Sequence, residues 1–492
     1  MQQRINNKGG SLAFVDDYTA WVTGPSAEAN YSGIQQIVDK AVQWERRSGA
    51  TFESTKTVLV HFTRTASRSS NVPITVKGKA ITPISEAKIL GVIMDSELWY
   101  RSHIAKTATK SLKAALALKR LKMLSPPSAR QLFNATVAPV MDYASNVWMH
   151  AFNRTARTAL NRVQNIGAQA ITGGFHTVSL AIAEAEAYIQ PLHQRQCERA
   201  TKFWVGIQAL PDTHPLRHLQ VQAFQRFLSP LQKIAQAHQP MEEIETIQAF
   251  AVSPWEKRID IIVKPDCTEA AKMARDAQGI VVATSSSEKN GIVGMGGAIC
   301  DTTTTGTSKT APTATYSATI GQRDRFNPYF AELIAIATGL CNLATLPLSG
   351  RAITILSSNL SVLQAINLPS QQSGQFYIHQ IYKSISKLKE MGNQISAIWA
   401  PQQEEIAIKA KAKAMAKQAT ELGKEAQKHR VGAKATVLGH TISKERQQRK
   451  LFEELENIQR IWTLLFQENT PVSYTTALNM QKPTYWPNCI LE

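Results

Sequence analysis

The stretch SLAFVDDYT, residues 11–19, sets two adjacent carboxylates, Asp16 and Asp17, directly behind the apolar run Leu12-Ala13-Phe14-Val15. Two acids held at one turn supply hard oxygen ligands, the kind that divalent cations take. Paired ions of that sort activate the attacking oxygen and neutralise the leaving one in phosphoryl transfer. The same dipeptide also suits a solvated turn, because Asp hydrogen-bonds its own backbone there. The apolar run before the acids and the more polar run after them predict a tight β-hairpin with the acids at its turn.

Charge narrows the partners that such a site would meet. The 492 residues carry 55 Lys and Arg against 37 Asp and Glu, a formal net charge of +18. That excess favours a polyanion, and nucleic acid before a membrane surface, since no amphipathic lipid anchor accompanies it. The five cysteines (Cys197, Cys267, Cys300, Cys341, Cys489) lie far apart without CxxC spacing. They suggest neither a zinc site nor a disulfide framework, so a reducing compartment is expected. The N-terminal MQQRINNKGG has no apolar signal core, and no apolar run is long enough to span a bilayer. The expectation is an intracellular protein, nuclear or cytoplasmic, of about three domains.

The elements that must position the acids follow in order. SGIQQIVDKAVQWERR, residues 32–47, has helical spacing, with Trp44 near its end and Gly49 as its stop. FESTKTVLVHFTR, residues 52–64, reads as a β-branched strand with Lys56 at its entrance. VPITVKGKAITPI, residues 72–84, predicts a hairpin turning at Lys77-Gly78-Lys79, and AKILGVIMDSEL, residues 87–98, a short strand with Gly91 at its centre. This succession resembles the second half of a reverse transcriptase palm, in particular that of the non-LTR (LINE-type) retrotransposons of filamentous fungi. The resemblance implies that Asp16 and Asp17 bind catalytic Mg²⁺, that Lys56 is the palm lysine, and that Leu90-Gly91-Val92 belongs to the primer-gripping hairpin. The family also uses an Asp from a strand well upstream and fingers that bind the nucleotide. Only 15 residues precede Asp16, so no polymerase activity is expected from this chain alone.

From Ile104 to Leu124 a helix places Ile104, Ala108, Leu112 and Ala115 on one face, with Lys106, Lys110 and Lys113 roughly opposite. The lysines fit a solvated face equally well; the resemblance makes this the thumb, which follows the duplex backbone. Residues 128–148 predict a helix that Pro139 bends or splits, with Leu132, Phe133, Val137, Val140, Met141 and Tyr143 as core. A further helix ends at Gly173-Gly174, and residues 176–250 continue helical.

A different texture opens at Gly279. GIVVATSSS reads as strand and turn, GIVGMGGAIC and TATYSATIG as strands, and NPYFAELIAIATGLCNL as a helix. AITILSSNLSVLQAI is strand then helix, and ISAIWAP a last strand. This order resembles the RNase H domain that follows the polymerase in such elements. RNase H holds two metal ions with four acids. The resemblance places Thr284, Glu332, Ser358 and Lys413 at those positions, so that Glu332 alone is retained. The expectation is a fold kept and a site lost. Residues 407–428 predict a basic Ala/Lys helix (Lys409, Lys411, Lys413, Lys417, Lys424, Lys428), and residues 450–466 a last apolar-striped helix.

The expected fold class is α+β: a partial palm, helical thumb and connection, then an RNase H-like α/β domain with a mixed sheet. The expected bounds are 1–102 for the half palm, 103–175 for the thumb, 176–270 for the connection, 271–425 for the RNase H-like domain and 426–492 for the tail. The function implied is part of a retrotransposon RNA-directed DNA polymerase, catalytically silent alone, with RNA, RNA–DNA hybrid or DNA as partner and an upstream polyprotein segment as another. A non-catalytic nucleic-acid-binding protein and a hybrid-cleaving ribonuclease are the alternatives.

Overall fold

Short turns built from Gly and polar residues organise the first hundred residues. The computed structural model describes residues 8–121, 123–151, 154–217, 229–237, 243–249, 252–253, 255–303, 312–402, 405–421, 431–447 and 450. Among these, residues up to Ala200 with 229–237 form one compact unit, and the remainder form a second. Lys424, Lys428 and the expected helix beyond Lys450 lie outside the described residues.

In the first unit, β1 (Gly9–Phe14) and β2 (Asp17–Val22) form the expected antiparallel hairpin. Helix α1 (Ala27–Ser48) starts where the Ser26 hydroxyl accepts from Ala29 N at 3.3 Å and stops at left-handed Gly49. Its apolar stripe, Ile34 and Val38, packs on a second hairpin, β3 (Ile74–Val76) and β4 (Lys79–Ile81). Lys77 and Gly78 both have positive φ there, which matches the right-handed strand twist in a two-residue turn.

Two expectations here are corrected. Residues 52–64 form no ladder; they make a single parallel bridge, Leu59 to Pro83, and Lys56 closes a turn by donating its N–H to the Glu53 carbonyl at 3.1 Å. Leu90-Gly91 is not mid-strand but the turn between β5 (Glu86–Ile89) and β6 (Val92–Asp95), with φ of 46° and 87°. Tyr143, expected in the core, is exposed; its ring lies against Gly91 and its hydroxyl donates to the Leu90 carbonyl at 2.7 Å.

Helix α2 (Arg101–Arg120) buries Ile104, Thr107, Ser111, Ala115 and Leu118 in a mainly helical core that also takes in Val92 of β6. It is followed by α3 (Pro126–Leu132), a π-turn over Phe133–Val137, and α4 (Ala138–Asp142). Pro139 lacks an N–H and crowds the preceding turn, so the helix widens and restarts, as its position predicts. Then come α5 (Ser145–Trp148), α6 (Arg154–Thr172), α7 (Leu180–Glu186), α8 (Leu192–Gln208) and α9 (Pro230–Ala237). Gly167 of α6 leaves room for the buried Phe133 ring. Arg195 of α8 grips buried Asp142 with two hydrogen bonds of 2.8 and 3.3 Å, so the buried charge is paired.

The second unit is a mixed sheet of six strands: β7 (Asp260–Ile262), β8 (Ile280–Lys289), β9 (Ile292–Asp301), β10 (Ala314–Gln322), β11 (Ala352–Ser357) and β12 (Gln394–Trp399). Their order is β10-β9-β8-β11-β12-β7; β10-β9-β8 are antiparallel and the rest pair parallel. One face carries α11 (Pro328–Ala344), α12 (Leu360–Asn367) and α13 (Gln375–Glu390), packed on Ile280, Val282, Ile353 and Ile355. The other carries α10 (Cys267–Arg275) and α14 (Ala407–Gln418), packed on Val281, Ala283 and Leu356. Alternate strand residues thus serve opposite layers. The expected turn at Ser285–Ser287 is instead strand, because β8 runs on to Lys289 and turns at Asn290-Gly291.

The ends of this second sheet domain are tied. Ile244 bridges Gly432, and buried Glu245 accepts from Gly374 N and Lys434 N, both at 2.7 Å, and from the Ser373 hydroxyl. One carboxyl thereby caps α13 and the helix over 434–447 together.

Candidate functional site

The hairpin acids are presented to solvent. Phe14 pairs with Asp17, which leaves Val15 and Asp16 as the two-residue loop. Both acids are exposed, and Val15 is 92% exposed with φ 54°, a conformation that costs a β-branched residue energy. Among the described residues, no group of three or more His, Cys, Asp or Glu gathers to hold a metal. A hard cation takes six or more oxygens, so Asp16 and Asp17 are a partial donor set and do not complete a centre by themselves. Lys56 is exposed on its turn.

Lys106, Lys110 and Lys113 are all exposed on α2, on the side away from its buried residues. At 1.5 Å per residue the three span about 10 Å along the helix. They form a cationic edge on α2.

In the second unit the retained acid has company that sequence alone placed inexactly. Glu332 on α11 is 1% exposed, and its Oε1 accepts from the Thr284 hydroxyl of β8 and the Ser357 hydroxyl of β11, each at 2.7 Å. Ser286, two residues along the same face of β8, also hydrogen-bonds to it. Burial raises the Glu332 pKa, opposed by the hydroxyls of Thr284, Ser357 and Ser286 and by the Lys409 charge. Lys409 on α14 donates to the carbonyls of Ala400 and Pro401, the latter at 3.0 Å. Burial brings its pKa down to about 8, with Glu332 pulling the other way and Lys413 adding to the drop.

Two positions are therefore corrected. Ser357, not Ser358, faces the carboxyl; Ile353 and Ile355 share its face, so strand alternation carried as far as residue 357 would have found it. The nearby cation is Lys409, not Lys413, which is exposed one helical turn further on. Thr284 sits in mid-strand rather than in a turn. A lone buried carboxyl with hydroxyl donors and an ammonium neighbour offers no place for paired Mg²⁺, which needs several anionic oxygens. The acid and its partners instead satisfy one another.

No family model matches the chain. It is 24% identical over 245 residues to the RNA-directed DNA polymerase from mobile element jockey of Drosophila funebris, which covers 47% of this chain and 26% of that protein. It is 26% identical over 174 residues to a probable RNA-directed DNA polymerase from transposon X-element of Drosophila melanogaster, covering 34% of this chain and 19% of that protein. The chain thus spans about a quarter or less of these relatives. Among solved structures it is similar to the N-terminal RNase H domain of Rv2228c from Mycobacterium tuberculosis, with 15% identity and a TM-score of 0.23 over 29% of this chain and 94% of that one. RNase H1 from Halobacterium salinarum gives 14% identity and a TM-score of 0.22 over 28% and 96%. LC11-RNase H1, solved in complex with RNA/DNA hybrid, gives 17% and 0.22 over 28% and 95%. The chain is an α+β protein with a six-stranded mixed-sheet domain and partial similarity to mobile-element RNA-directed DNA polymerases.

Proposed function

We propose that this chain is part of a LINE-type (non-LTR) retrotransposon polyprotein, of the kind carried by filamentous fungi, and that by itself it holds nucleic acid without performing chemistry on it. The observation that supports this reading is the pocket of Glu332: the hydroxyls of Thr284 and Ser357 donate to the carboxyl, and the charge of Lys409 acts on it. Hydroxyls supply no negative charge to hold paired metal ions. The bounds of palm, thumb, connection, RNase H-like domain and tail are those set out from the sequence. Asp16 and Asp17 are remnants of, or one half of, a Mg²⁺ site whose third carboxylate comes from an upstream polyprotein segment. Lys56, Lys106, Lys110 and Lys113 contact phosphates of RNA, DNA or a hybrid.

The test is binding of the full chain to a labelled RNA–DNA hybrid across a salt series, with and without Mg²⁺, while cleavage is followed. Expected are affinity that falls steeply with salt, indifference to Mg²⁺, and an intact hybrid. Mg²⁺-dependent cleavage that disappears on Glu332→Gln overturns the reading in favour of a working ribonuclease. No binding at low salt overturns the binding role.

A further inference from the structure

A groove of about 610 Å³ runs along α13, lined on its other side by Val252, Ser253 and Glu256. None of its lining residues belongs to the surroundings of Glu332 or to the hairpin acids. Along α13 the side chains of His379, Lys383 and Lys387 recur every four residues, so they share one face at about 6 Å intervals. Phe376, three residues before His379, extends that face and is exposed. Trp255, next in sequence to groove-lining Glu256, is 85% exposed.

Glu256 and Glu390 also line the groove and oppose an anion near them, which confines the favourable path to the stretch from His379 to Lys387.

Lysines in line with exposed aromatic rings near by are the arrangement that binds single-stranded nucleic acid: the lysines follow the backbone while unpaired bases stack on the rings. We propose that this groove is a binding site for single-stranded nucleic acid, with Lys383 and Lys387 on phosphates and the neighbouring Trp255 and Phe376 as base-stacking surfaces. The inference rests on the nucleic-acid binding proposed above and gives it a second site, in the RNase H-like domain and separate from the lysines of α2. A duplex keeps its bases stacked on each other, so it gains nothing from the two rings.

The experiment uses the full chain and fluorescence anisotropy with two probes, a fluorescein-labelled oligouridylate of about twelve nucleotides and an RNA–DNA hybrid, each over a salt series. The double variant Lys383→Glu/Lys387→Glu is expected to bind oligouridylate at least tenfold more weakly. Its salt slope should be shallower by about 1.4, two phosphate contacts at about 0.7 each. Trp255→Ala is expected to weaken the same probe about tenfold with the slope unchanged, because stacking releases no counterions. Lys383→Arg/Lys387→Arg should restore wild-type binding, and all these positions are exposed, so the fold is retained. Oligouridylate affinity and slope that stay at the wild-type values in both variants overturn the groove. If Lys106→Glu/Lys110→Glu/Lys113→Glu then still weakens the hybrid, the general binding role survives that failure; if wild type binds neither probe, the general role itself falls.

Discussion

Replacing Glu332 by Gln removes the carboxylic acid of the buried hydroxyl pocket while leaving an oxygen that accepts from Thr284 and Ser357. Burial raises the folded-state pKa of Glu332 above its ordinary value of 4.5. Below that value the carboxyl is protonated whether the chain is folded or not, so it costs nothing. As pH rises, the unfolded chain releases the proton while the folded one keeps it, and wild type loses stability until the folded-state pKa is passed. Within that window the loss is about 1.4 kcal/mol per pH unit. The Gln variant has no such term, so at pH 7 it should be more stable than wild type, and the advantage should vanish near pH 4. For a domain of this size each kcal/mol corresponds to about 2–4 °C in Tm. Glu332→Ala should instead destabilise at every pH, by about 3 kcal/mol, because it leaves a cavity and takes the acceptor from two fully buried hydroxyls. Urea midpoints at half-unit pH steps between 4 and 7.5 measure both variants. Parallel pH profiles for wild type and Glu332→Gln would refute the reasoning: the carboxyl would then be ionised at neutrality, held by Lys409 and the hydroxyls as a buried ion pair.

Three other outcomes rest on close packing, backbone strain and surface charge. Gly296→Ala should cost about 1–3 kcal/mol, since its methyl would come within 2.7 Å of the Ala412 carbonyl oxygen and closer still to Ala416 N; thermal unfolding and loss of α14 protection in hydrogen exchange would report it. Val15→Gly should stabilise the first hairpin by relieving about 1 kcal/mol of left-handed backbone strain, seen as slower amide exchange in β1 and β2. Lys106→Glu/Lys110→Glu/Lys113→Glu should lower the salt slope of hybrid binding by about 2–3 for three lost phosphate contacts, with no change in the urea midpoint.

Where structure was dictated by neighbours in sequence, the residues spelled it out. Val76-Lys77-Gly78-Lys79 closes a hairpin because its own turn chemistry favours it, and Phe14-Val15-Asp16-Asp17 closes one in spite of a strained Val15. Pro139 interrupts its helix for the same local reason. Residues 52–64 looked like a strand because they are β-branched, yet a strand needs a partner, and theirs offers one bridge. Gly91 was misplaced since an apolar run does not say whether it is one strand or two joined at a Gly. The Glu332 pocket lay within a residue or a helical turn of the positions read from sequence. Alternation from Ile353 and Ile355 selects Ser357 over Ser358, whereas Lys409 over Lys413 depends on how α14 is rotated against α11, and that is fixed by packing over long sequence distances.

The Glu245 clasp has a mechanical consequence. Because Ile244 and Gly432 are bridged, the backbone enters and leaves the sheet domain at one spot, and everything between them is a loop closed at its neck. Tension on the chain would load that neck first, with Glu245 and the two helix ends it caps, before any sheet ladder felt a pull. A domain closed this way can be lengthened or shortened inside without altering the separation of the two segments that flank it. Such tolerance leaves the interior of the domain free to change while the surrounding polypeptide keeps its spacing.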